Sequence, residues 1–309
     1  MTALKGKPMK HPHFLWISLA AAAVMVACGG GGGDAGSPPP TVSASTASSA
    51  RYSDSMLITL VGSNLDQPLT LSSTGCRNFV RSTTAPNLST ATAAYYTCTV
   101  SGVGNLAVTV AGGGVTAATV PFTVAVPQVS MLLSNGAGVA GTLLITLHPQ
   151  QAPLTVDNFL AYVKSGFYNG TAFHRHARFD NLSTFVMQGG GYAAPLSSGT
   201  RYPAAKATNA PVALEVGRGL SNLRYTLAMA RLDAPNTATS EFFFNTVDNP
   251  ALDTANGGYA VFGTVVTGTT LVDAMAAAPC NFSNSNFNLG SPDCLPEPNI
   301  VIAGATQTR

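Results

Sequence analysis

Charge is scarce in this chain. Asp, Glu, Lys and Arg make up 9% of its 309 residues, against about 25% in ordinary soluble domains, and the net charge is only +2. No basic stripe exists to neutralise phosphates, which excludes a nucleic-acid partner. Long apolar runs are missing as well. The uncharged run Phe14 to Val26 has thirteen residues, about 20 Å of helix against the roughly 30 Å hydrocarbon core of a bilayer, too short to cross it. Histidine is also rare, with 5 in all, and none clusters beside the cysteines. No metal or cofactor is therefore expected. From Thr41 to Pro127 the charged residues are Arg51, Asp54, Asp66, Arg77 and Arg81. That stretch has no His, no paired carboxylates and no evident nucleophile, so its own chemistry is silent.

What is present at the N-terminus speaks of export. Lys5, Lys7 and Lys10 precede the apolar run, the order of a signal peptide. The run ends in Met25-Val26-Ala27-Cys28, which resembles the lipobox of bacterial lipoproteins and implies cleavage before Cys28, with the lipid on that thiol. Residues 28–40, rich in Gly and Pro, read as a flexible tether. Gly29 rather than Asp after Cys28 implies, by the same resemblance, the outer membrane. The expectation is a lipid-anchored monomer of the bacterial cell envelope. Setting Cys28 aside leaves Cys76 with Cys98 and Cys280 with Cys294, one close pair in each half. Disulfides within each half suit an oxidising compartment. Metal binding is the competing use of these thiols.

Residues 41–127 carry short alternating runs, such as Ser55–Leu60, Tyr95–Val100, Leu106–Val110 and Val120–Val126, separated by Gly, Asn, Asp and Pro. This pattern predicts a small all-β, immunoglobulin-like sandwich. Residues 128–309 differ in texture. Gly141–Leu147 reads as a strand. A helix is predicted over Pro153–Gly166, capped by Thr155, with Val156, Phe159, Leu160 and Val163 on one face and Gly166 ending it. Strands follow at Thr171–Arg175, Thr184–Gln188, Tyr225–Arg231, Glu241–Val247 and Tyr259–Val266, then a helix over Thr269–Ala278 and a closing strand over Asn299–Thr306. Many strands with two helices predict a closed β-barrel.

Six motifs make the second half specific. In order they are Ala152-Pro153 with Asn158-Phe159 and Ser165-Gly166-Phe167-Tyr168, then Phe173-His174-Arg175, then Met187-Gln188-Gly189-Gly190-Gly191. Leu227-Ala228-Met229-Ala230-Arg231, Ala238-Thr239-Ser240-Glu241-Phe242-Phe243 and Gly258-Tyr259-Ala260-Val261-Phe262-Gly263 complete the set. Together they resemble the periplasmic bacterial branch of the cyclophilins, the cyclophilin-type peptidyl-prolyl cis-trans isomerases. The resemblance implies a mainly β fold, a closed eight-stranded antiparallel barrel with two helices, whose substrates are Xaa-Pro segments of exported polypeptides. It implies that Arg175, Gln188 and Phe243 are catalytic. It further implies that Phe185, Val186, Ala230, Arg231, Glu241, Leu252 and Tyr259 bind the peptide.

The chemistry suits these residue types. Rotation about an Xaa-Pro amide needs no nucleophile, only a cation aimed at the prolyl nitrogen and an apolar seat for the ring. Against the family pattern, His176–Thr184 is longer than usual, Glu241 stands where Gln is common, and Ala251 replaces a Trp or Phe. Leu214 replaces a common Asn, while Glu215 beside it is retained. His174 is expected to be packed and hydrogen-bonded, His176 and Arg178 to be exposed. Two other readings compete with the enzyme: a catalytically weak module that binds proline peptides, and an adhesin or assembly protein defined by the sandwich.

Overall fold

A computed structural model describes residues 37–112, 114–115, 118–134, 138–196, 205–281 and 292–309. The predicted leader and Cys28 lie outside these residues. Pro39–Arg309 forms one compact unit.

Period-two alternation builds the first part. Strands β1 (Thr41–Ala47), β2 (Ser55–Ser63), β3 (Thr70–Ser72), β4 (Cys76–Arg81), β5 (Ala93–Val100), β6 (Gly104–Ala111) and β7 (Ala118–Val124) form two sheets, ordered β1-β2-β5-β4 and β3-β6-β7. Met56, Ile58 and Leu60 point to the inner face of β2, and Val108 and Val110 to that of β6, where all are buried in one core. The disulfide Cys76–Cys98 ties β4 to β5.

The barrel follows. Its strands are β8 (Gln128–Ser134), β9 (Gly141–Leu147), β10 (Thr171–Arg178), β11 (Thr184–Ala193), β12 (Thr226–Met229), β13 (Phe242–Asn245), β14 (Val261–Thr267) and, after two short strands, β17 (Ile300–Gln307). They close in the order β10-β11-β13-β12-β14-β9-β8-β17, every neighbouring pair antiparallel. The two short strands, β15 (Cys280–Asn281) and β16 (Leu295–Pro296), pair with each other, and the disulfide Cys280–Cys294 joins their ends. Helices α1 (Pro153–Lys164) and α2 (Thr269–Ala276) turn apolar stripes inward: Val156, Phe159, Leu160 and Val163 from the first, Leu271, Val272 and Met275 from the second. The ring of Phe159 meets those of Tyr168, Phe242 and Phe262 at centroid separations of 5.3, 5.5 and 5.0 Å, distances at which tilted and edge-on aromatic pairs attract.

The expected cap of α1 needs correction. The helix starts at Pro153, before Thr155, and Ala152 at the cap position makes no side-chain bond. Proline tolerates that first position because it has no N–H to satisfy. The backbone N–H and hydroxyl of Thr155 instead donate to one carboxylate oxygen of Glu215, at 2.8 and 2.9 Å. A negative charge from a distant segment thus serves the helix's positive end. Gly166, at φ 69°, follows the last turn as expected. The outer side of α1 meets the smaller sheets through ion pairs Lys164–Asp54 at 2.8 Å and Arg77–Asp157 at 2.6 Å.

Candidate active site

A barrel wall has two faces, and alternate residues of each strand take opposite ones. Phe173, Met187, Leu227, Phe242 and Phe244 face inward and belong to the main core. Their neighbours Ala177, Val186, Ala228, Phe243 and Val261 form a second apolar cluster, with Phe185, Leu220, Ala230, Leu252 and Tyr259 packed on it. A β-bulge puts Arg175 on that second side. Phe173 pairs with Gly189 while Arg175 pairs with the adjacent Gln188, so one extra residue, His174, is inserted between them. Without it Arg175 would share the inward face of Phe173. Bulges commonly re-aim a side chain in this way beside functional sites. Gly189 completes the arrangement, because a Cβ there would lie 2.8 Å from the Phe173 ring.

The register then aligns the key groups. Arg175 stands opposite Gln188, Gln188 opposite Phe243, and Phe243 opposite Ala228, a row across four adjacent strands. Beside this row opens a pocket of about 200 Å³ lined by Arg175, Ala177, Phe185, Val186, Gln188, Ala230, Arg231, Phe243, Leu252 and Tyr259. Phe243 meets Tyr259 edge-on at 5.7 Å. Arg231 stacks over Tyr259 at 4.9 Å and donates to the carbonyls of Gly258, Leu232, Asp233 and Asn256. Its guanidinium braces the rim through backbone oxygens.

Arg175 is the second cation of the lining, and side chains hold it whereas backbone carbonyls hold Arg231. One terminal nitrogen, Nη1, donates to Gln188 Oε1 at 3.0 Å, and Gln188 Nε2 donates to Glu241 Oε2 at 2.7 Å. Glu241 Oε2 also lies 3.4 Å from His174 Nε2. Burial alone would raise the Glu241 carboxyl; His174, Gln188 and the Arg175 charge outweigh it and hold the group below the usual carboxylate range. On its other edge Arg175 meets Asp293, with Nε and Nη2 both 2.7 Å from Oδ2.

Of the residues named from sequence, nine share the pocket and Glu241 does not. It sits behind Gln188, in space that a Cβ on Gly191 would fill, 2.5 Å from its carboxylate. The acid that pairs with Arg175 is Asp293, which sequence reasoning did not single out. Ala251 is exposed on a short 3-10 turn, Pro250–Asp253, outside the pocket lining. Much of the long stretch His176–Thr184 extends the hairpin: β10 continues to Arg178 and β11 starts at Thr184, with a register shift between Ala177 and Arg178. Phe179, in the turn between them, packs on Phe185 at 4.6 Å between ring centroids.

His176 was expected to be exposed and is fully buried. Its backbone N–H and C=O pair with Cys294, at 2.8 and 3.2 Å, and a ring nitrogen lies within 4.8 Å of the Cys280 and Cys294 sulfurs. Nδ1 lies 3.3 Å from the Thr184 hydroxyl, and Nε2 is buried without a hydrogen-bond partner. Among the described residues, the one group of three potential metal ligands is His176 with Cys280 and Cys294. Both sulfurs are already joined to each other.

The profile of the family described as cyclophilin type peptidyl-prolyl cis-trans isomerase/CLD matches residues 130–305. Peptidyl-prolyl cis-trans isomerase A of Dickeya dadantii is 41% identical over 168 residues, 54% of this chain and 79% of its own. Peptidyl-prolyl cis-trans isomerase cyp18 of Streptomyces antibioticus is 45% identical over 141 residues, 44% of this chain and 78% of its own. Peptidyl-prolyl cis-trans isomerase B of Escherichia coli is 37% identical over 171 residues, 54% of this chain and 93% of its own. The chain belongs to the cyclophilin-type peptidyl-prolyl cis-trans isomerase family. The matched span coincides with the closed barrel and stops short of the two smaller sheets.

The buried histidine gives a pH prediction. Burial, helped by the Arg178 charge, pushes the His176 imidazole down to about 3, whereas an unfolded histidine takes its proton near pH 6.5. Stability is therefore full above about pH 6.5 and is lost as pH falls towards the folded value, at a slope approaching 1.4 kcal/mol per pH unit. Urea unfolding of wild type between pH 4.5 and 7.5 should show this loss, and His176→Gln should flatten the profile. Parallel profiles for the two proteins would contradict the assignment.

Proposed function

We propose that this chain catalyses cis-trans isomerisation of Xaa-Pro bonds in exported polypeptides, held in the bacterial envelope by lipid on Cys28. The observation that carries the reading is the guanidinium of Arg175 at the rim of an apolar pocket. Rotation about a peptide bond faces a barrier of about 18–20 kcal/mol, because the nitrogen lone pair is delocalised into the carbonyl. The two isomers of an Xaa-Pro bond differ by only about 0.5–1 kcal/mol, so the enzyme has a barrier to lower and no equilibrium to drive.

Twisting the amide localises the lone pair on the prolyl nitrogen. A guanidinium aimed there meets electron density that the planar ground state lacks, so it favours the transition state selectively. The proline ring sits against Phe243, Val186 and Leu252, and the carbonyl before it swings. Water kept off this surface strengthens the cation's effect. Arginine suits the task better than lysine because its planar fork can hold a backbone oxygen as well. The rival reading, a proline-peptide binder with weak catalysis, is favoured by the opposing charge of Asp293.

Two measurements test the proposal. In a protease-coupled assay on an Xaa-Pro peptide, Arg175→Ala should lose about 10²–10³ in kcat/KM, the usual effect of removing one organised donor from developing charge. Its melting temperature should change little, since the side chain is 38% exposed, and Arg175→Lys should recover part of the rate. Wild type with affinity for the peptide but no isomerase activity would decide for the binder. For the anchor, Cys28→Ala should leave the membrane fraction; a processed variant still bound to membranes would contradict lipidation.

A further inference from the structure

We infer that Asp293 is the positioning residue for Arg175: it holds the edge of the guanidinium so that the end of the fork faces the pocket. The inference rests on the isomerase reading above.

The donor count makes the case. A guanidinium has five N–H donors in one plane. Asp293 Oδ2 accepts the Nε–H at 2.7 Å and lies 2.7 Å from Nη2 as an ion pair, and Gln188 Oε1 accepts from Nη1 at 3.0 Å. Among the described residues no other side-chain acceptor takes the donors left on the terminal nitrogens of Arg175, a residue that lines the pocket. Removing Asp293 would return a long, partly exposed side chain to several rotamers, with the Gln188 bond as its remaining tether.

Asp293 is itself fixed to the strand that carries Arg175. Its second oxygen, Oδ1, accepts from the backbone N–H of Arg178 at 3.0 Å. Its neighbour Cys294 pairs with His176 through two backbone hydrogen bonds and is joined by disulfide to Cys280 on β15. The carboxylate side chain is 14% exposed, so water competes poorly for the pair. The extended end of β10 and the disulfide-closed β15–β16 hairpin thus meet at one carboxylate and through it orient one cation. Among the described residues the carboxylate's polar partners are the Arg175 side chain and the Arg178 N–H, and its role is therefore exerted through the arginine.

A double-mutant cycle separates positioning from mere structure. A displacement of about 1 Å in a reacting group can cost on the order of a hundredfold in rate. Asp293→Ala should accordingly lower kcat about ten- to a hundredfold while KM changes less than about threefold, because the apolar pocket still seats the ring. In an Arg175→Ala background the same substitution should have no further effect. By NMR, the Arg175 Nε–H resonance should be protected from exchange in wild type, and shifted and exchanging in Asp293→Ala. Three results would overturn the inference: kcat within twofold of wild type or above it, an equal loss in both backgrounds, or an unmoved Nε–H resonance. Inactive wild type would defeat the isomerase reading instead, and the resonance would still decide whether Asp293 holds the arginine.

Discussion

On the proposed mechanism, a cation has to be offered to a substrate beside an apolar surface without drifting into water or being fully cancelled by a counter-ion. Two unit charges 4 Å apart interact by about 1 kcal/mol in water and about 4 kcal/mol at the effective dielectric near a protein surface. The value of Arg175 therefore depends on where its guanidinium is held as much as on its charge. The barrel meets this demand by geometry. Strand register sets Arg175, Gln188 and Phe243 in line, the bulge at His174 turns the arginine outward, and Gly189 lets the Phe173 ring close the wall beneath it.

The side opposite the pocket supplies the stiffness. Rings of Phe159, Tyr168, Phe242 and Phe262 interlock under α1, and the strands they support cannot shift singly in a closed barrel. Close packing of this kind transmits strain with little give. The longer β10–β11 hairpin and the Cys280–Cys294 hairpin are both departures from a bare barrel, and they meet at His176 and Cys294. The two additions bury one another's polar groups and bring Asp293 to the arginine.

A closed barrel, seven of its strands, its two helices and an all-β stretch before it were legible from alternation and 3.6-residue stripes, whereas β8 (Gln128–Ser134) was not read as a strand and the count of eight came with the cyclophilin resemblance. Leu271, Val272 and Met275 are buried together on α2 just as their spacing suggests. Most of the pocket was legible through the cyclophilin resemblance: Arg175, Gln188, Ala230, Arg231, Phe243 and Tyr259 fall within its motifs, while Phe185, Val186 and Leu252 lie between them and Ala177 was not named. What could not be read is non-local. Asp293 is 118 residues from Arg175 in sequence, in a stretch that no motif marks. Thr155 looked like a helix cap because Glu215, the group that takes its N–H, is 60 residues away. His176 looked exposed because the chain that covers it comes from the far side of α2. A bulge, too, leaves no trace in a pattern of alternation that it interrupts by one residue. The one available signal for Asp293 was its place directly before Cys294, inside a short disulfide loop that had to pack somewhere.

The central claim is that the pocket lowers a rotational barrier as well as holding proline. Proton exchange spectroscopy on an Ala-Pro peptide, with the protein at a small fraction of the peptide concentration, tests this directly. Uncatalysed interconversion takes tens to hundreds of seconds, too slow to register during a sub-second mixing time. The account predicts exchange cross-peaks between the cis and trans resonances when wild-type protein is added. Resonances that shift on binding, with no cis-trans cross-peaks at any protein concentration, would contradict it.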